Sequence, residues 1–153
     1  MQYINQLVEE LKWRLIPTKP STREQMTQLN SLTAGRKLPQ AYLEFMSVMG
    51  NGTEGGFMGG DSCYMNEIFD LQQGAIELLE ENESKLSLTD EDFVFWMSQG
   101  CSFCFFNLTE GENPPVYFFN EDGKDRYVRI ASCFTEFLMN RLHIFDESFA
   151  YYK

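Results

Sequence analysis

Four aromatic, apolar runs between residues 93 and 130, joined by short connections, constrain this chain more than any other feature. Phe93-Val94-Phe95-Trp96-Met97 is continuously apolar and reads as a buried strand. Cys101 to Leu108, Val116 to Phe119 and Tyr127 to Ile130 read as the strands that follow. Ser98-Gln99-Gly100 can turn the chain, Thr109 to Pro115 is a polar loop, and Asp122-Gly123 is a hairpin signal. Parallel neighbours need connections of roughly a dozen residues or more, so these strands are expected to form an antiparallel meander.

The segments before them carry helical spacing. Ile4, Leu7, Val8, Leu11 and Leu15 form one stripe, ended by Pro17 and Pro20. A second helix is expected from Ser21, with Glu24 three residues on as its capping box and Gly35 as its stop. The third has Pro39 in its first turn, the stripe Tyr42, Phe45, Met46, Met49, and an end at Gly50-Asn51-Gly52. Six glycines between 50 and 60 make a mobile or tightly turning loop around Phe57 and Met58. Cys63 to Phe69 could be a short strand, and Leu71, Ala75, Leu78 and Leu79 suggest a fourth helix with an acidic end at Glu80-Glu81-Asn82-Glu83. A last helix carries Phe134, Phe137, Leu138 and Leu142 on one face. Helices, then strands, then a helix predict an α+β fold: an antiparallel meander sheet with N-terminal helices and a C-terminal helix packed on it. A length of 153 residues fits one domain over 1–153.

Charge narrows the functions. Twelve Lys and Arg against 23 Asp and Glu leave a formal net charge of −11, which argues against nucleic acid or an anionic membrane as partner and permits a basic protein. Met1 to Leu11 has Glu9 and Glu10 but neither a basic start nor an apolar run, so a cytoplasmic location is expected. In that compartment Cys63, Cys101, Cys104 and Cys133 are read as free thiols. Cys101-Ser-Phe-Cys104 lies in a strand-like setting, without the helix N-terminus of a redox motif or the paired spacing of a zinc site. His143, the only histidine, is placed near the end of the last helix and reads as a surface group. The glycines lack the Lys-Ser/Thr ending of a phosphate loop. Carboxylate pairs could hold a divalent cation or do acid–base work, but none has a glycosidase or EF-hand spacing. Asp90-Glu91-Asp92 reads as a solvated edge before a hydrophobic strand. No cofactor or metal is implied.

Leu38-Pro39-Gln40-Ala41-Tyr42-Leu43-Glu44-Phe45-Met46, closing on Gly50-Asn51-Gly52, resembles the signature of the Smi–Knr family of the SUKH superfamily. Phe93 to Met97 with Gly100 and Phe103 to Phe106 is similar to that family's central hairpin. Pro115-Val116-Tyr117-Phe118 resembles its Pro-Val-Tyr strand, and Ala131 to Leu138 its closing helix. The resemblance is strongest over 21–142. It implies a fold without catalytic chemistry, in bacteria often an immunity protein that neutralises a cognate toxin such as a nuclease. The alternatives are a regulatory scaffold like fungal cell-wall regulators, or a carboxylate-based, metal-dependent hydrolase. Partner contacts are expected at Glu54, Asp61, Glu67 and Asp70, which flank the glycine-rich loop, with Phe57 and Met58 either as apolar anchors or folded into the core.

Overall fold

The computed structural model describes the backbone of residues 1–151 and the side chains of 1–147. Helices α1 (Asn5–Trp13), α2 (Arg23–Asn30), α3 (Gln40–Met49) and α4 (Ile68–Glu81) precede strands β1 (Asp92–Ser98), β2 (Ser102–Asn107), β3 (Val116–Asn120) and β4 (Val128–Ala131), and α5 (Phe134–Tyr151) follows. The strands pair antiparallel in the order β1-β2-β3-β4, the expected meander. No helix among the described residues is long and apolar enough to cross a membrane.

Aromatic packing explains why α3 and α5 lie on one face of the sheet. Tyr42 of α3 is fully buried, its ring 5.4 Å from Phe93, 5.3 Å from Phe106 and 5.6 Å from Phe134. A β-bulge between Val94 and Trp96 breaks the strand alternation. Phe95 and Trp96 therefore both reach α5, with Phe95 5.2 Å from Phe134 and Trp96 6.4 Å from Phe137. Phe103, Phe105, Tyr117 and Phe119 pack together on the other face. There Tyr127 stands edge-on to Phe105 at 4.7 Å and donates its hydroxyl to the Ser87 carbonyl at 3.1 Å, tying the segment after α4 to the sheet.

The free edge of β1 is closed without another strand. Ser62 and Met97 exchange two backbone hydrogen bonds of 2.9 Å each. Further along, the Gln72 side-chain amide of α4 acts like a peptide unit. Its Oε1 accepts from Val94 N–H and its Nε2 donates to the Asp92 carbonyl, both at 3.0 Å. An open strand edge is a template for unwanted pairing, and this edge is satisfied over Asp92, Val94 and Met97.

Several local expectations shift. The capping box of α2 is Thr22 with Gln25, not Ser21 with Glu24; Ser21 Oγ instead donates to the Met46 carbonyl at 2.6 Å. Residues 63–69 form no strand: beyond the single Ser62–Met97 bridge the chain turns and enters α4 at Ile68. Asp122-Gly123 is not a two-residue hairpin but part of a 3-10 turn, Glu121–Gly123, where Asn120 Oδ1 accepts from Asp122 N–H at 2.9 Å. Leu15 projects into solvent beyond the end of α1, at positive φ. His143 lies mid-way along α5 rather than near its end, and is exposed.

Candidate binding surface

The glycine-rich segment is a tight turn fastened on both sides. Its start is stitched to the chain after α1: Lys19 N–H donates to the Gly52 carbonyl at 2.8 Å, and Glu54 N–H to the Pro17 carbonyl at 3.1 Å. Gly50 admits no side chain, because a Cβ there would lie 2.4 Å from the Met46 carbonyl oxygen. At its far end Arg141 of α5 donates from Nη2 to the Met58 carbonyl at 2.9 Å and to Asp61 Oδ2 at 3.0 Å. Gly59, at φ +78°, lets that guanidinium approach, since a Cβ would sit 2.7 Å from Nη2. The Arg141 guanidinium carbon also stands 5.5 Å from the centre of the Trp96 ring.

This construction turns Phe57 and Met58 inward. Both are 1% exposed and belong to the core, so neither is an apolar anchor on the surface. Sequence alone leaves anchor and core both open, because a pair flanked by glycines has no periodicity to mark a buried face. Asp61 is spent on Arg141, with 11% of its side chain exposed. Glu67 is half-buried just before α4 and accepts from Ser62 Oγ at 2.5 Å. Glu54 is exposed, and so is Asp70, in the first turn of α4 where the helix dipole favours a carboxylate. Of the six expected contact residues, Glu54 and Asp70 therefore present open carboxylates.

The larger acidic face is α4 itself. Leu71, Ala75, Leu78 and Leu79 point into the core and leave Asp70, Glu77, Glu80 and Glu81 exposed on a helix with no Lys or Arg. Among the described residues none of these four forms an ion pair. Glu80 and Glu81 occupy the last turn, where the dipole disfavours negative charge by roughly 0.3–1 kcal/mol per group. Fold stability does not account for that placement. The signal was present in sequence, in acids spaced three and four apart opposite an apolar stripe, but it reads there as a solvated helix end.

Beside this face runs a groove of about 480 Å³ between α4, the 3-10 turn Ser31–Thr33 and β1. Leu32, Phe69, Ile76, Leu88, Phe93 and Leu108 supply its apolar lining. A second depression, of about 230 Å³, shares Ile76 and Leu88 with it and is lined further by Leu86 and Glu80. Leu32 and Phe69 are 39% and 42% exposed, two of the exposed large apolar side chains among the described residues. Asp90 lines the groove, and Arg36, its cation, is held by Glu91 at 3.3 Å.

The four cysteines are free. Burial pushes the Cys63 and Cys104 thiols well above their ordinary pKa, whereas Cys101 and Cys133 are half-exposed. Among the described residues no three of His, Cys, Asp and Glu stand close enough to hold a metal ion.

A model of the SMI1 / KNR4 family (SUKH-1) matches residues 20–140. No curated protein matches the chain.

Proposed function

We propose that this chain, which belongs to the SMI1 / KNR4 family (SUKH-1), is a non-catalytic protein-binding module that neutralises a basic toxin such as a nuclease. The observation that carries the reading is the acidic face of α4, which has no ion pair among the described residues, with Glu80 and Glu81 at the helix end where the dipole opposes them. A nuclease must hold phosphates, so the region around its active site is positive. A rigid surface of opposite sign speeds encounter and fixes orientation. The α3–sheet–α5 core supports that surface, and Gln72 locks α4 to the β1 edge.

The test is co-expression with the product of the adjacent gene. Cells carrying both genes should grow, and cells carrying the neighbour alone should not. A neighbour that is harmless, or equally harmful with this protein present, contradicts the proposal.

A further inference from the structure

The groove beside α4 identifies the kind of partner segment this surface takes. Resting on the binding-module reading above, we infer that it seats one amphipathic helix of a basic protein, with the apolar stripe on Phe69, Ile76 and Leu88 and flanking Lys or Arg side chains against Glu80 and Asp90.

Three observations select that occupant. The first is hydrogen bonding. An extended segment gains affinity by adding to a free strand edge. Along this groove Val94 N–H and the Asp92 carbonyl are already bonded to Gln72, and further along the same edge Met97 is bonded to Ser62. A helix satisfies its own backbone and needs only side-chain contacts. The second is shape. From Phe69 to Glu80, α4 runs roughly 16 Å, the length of about three helical turns. The paired depressions keep apolar lining along this stretch, from Leu32 and Phe69 to Leu86. The third is charge. Asp90 lines the groove and Glu80 the second depression, both without ion-pair partners among the described residues; Glu77 lies one turn before Glu80, and Arg36 is occupied by Glu91. An acidic helix would meet like charge here and a basic one its complement.

The experiment titrates the isotope-labelled full chain with three synthetic peptides of about 14 residues: a Leu/Lys helix with apolar residues at three- and four-residue spacing, a Leu/Glu helix of the same pattern, and a Leu/Lys peptide of strictly alternating pattern. The Leu/Lys helix should shift backbone amide signals at Leu32, Phe69, Ile76, Glu80, Leu88 and Asp90. Phe69→Ala should weaken it by about fivefold or more, and the other two peptides should bind less. Shifts centred elsewhere, unchanged binding by Phe69→Ala, or equal binding by either control would overturn the inference. Leu32→Ala, at a second exposed position, serves if Phe69→Ala does not fold. Co-expression separates the two claims. Full protection by a folded groove variant removes the groove and leaves neutralisation standing, while failure of the wild-type chain to protect removes the functional reading whatever the peptides do.

Discussion

Arg141 on α5 and Asp61 at the end of the glycine-rich turn are joined at 3.0 Å, with 19% and 11% of their side chains exposed. One guanidinium thus holds a loop that is remote from it in sequence, while its carbon stands 5.5 Å from the centre of the Trp96 ring. Removing one member of such a pair leaves the other charge largely desolvated, at a cost of about 3 kcal/mol. Arg141→Met and Asp61→Asn are each expected to lower the unfolding free energy by roughly that amount, read from urea denaturation. Their effects should be strongly non-additive in the double variant.

Gln72 supports a prediction about the sheet edge. Gln72→Ala leaves Val94 N–H and the Asp92 carbonyl without their protein partner, a loss of about 1–3 kcal/mol. The Val94 amide should exchange with solvent faster in the variant, while amides of β2 change only as far as global stability does. Equal exchange at Val94 in both proteins would contradict the proposed role.

Glu44 gives the fold a pH dependence. Its carboxylate on α3 accepts from Gln2, Tyr3 and Ile4 N–H at 2.9, 2.8 and 3.4 Å, fastening the segment just before α1 to another helix. Burial alone would raise its pKa, but these bonds and the Gln40 amide outweigh burial and lower it. A carboxyl with a lowered folded-state pKa binds fewer protons folded than unfolded. Its stabilisation is present above the unfolded-chain pKa of about 4.3 and is lost as pH falls through the folded value. Glu44→Gln should therefore be less stable than wild type at neutral pH, by about 1 kcal/mol or more, and the gap should narrow in acid. Parallel melting curves from pH 7 downward check the sign.

The thiols separate by burial. A disulfide-exchange reagent applied to the native protein at mildly alkaline pH should react readily with Cys101 and Cys133. Cys63 and Cys104, each 1% exposed, should react only after denaturant is added. Rapid reaction of all four in native buffer would contradict the burial of Cys63 and Cys104.

These relationships also show why some of the structure is legible in sequence and some is not. Tyr42, Phe45, Met46 and Met49 are all buried, as are Phe134, Phe137, Leu138 and Leu142, because a helix against a core writes its period into the chain. The strand order follows from short connections. The bulge at Phe95 leaves no local mark, since it is set by the fit of two aromatic rings to α5. Ser21 and Thr22 both suit a helix cap, and the choice falls to Thr22 because Ser21 is drawn to the Met46 carbonyl on α3. Phe57 and Met58 are taken inward by a turn whose clamp, Arg141, lies far along the chain. For the same reason, the groove joins residues 32, 69, 76, 88 and 108, and its existence depends on packing that no short window contains.

The central claim is that an acidic face on α4 binds a basic protein. It is tested most directly by the association rate with the purified product of the adjacent gene, measured across salt concentrations. The comparison is between wild type and the combined Asp70→Asn, Glu77→Gln, Glu80→Gln variant, whose substitutions are all at exposed positions. Steering predicts a fast rate at low salt that falls steeply as salt rises, and a slower, flatter profile for the variant. Association that is independent of salt and identical in the two proteins, or no association at all, would contradict the account.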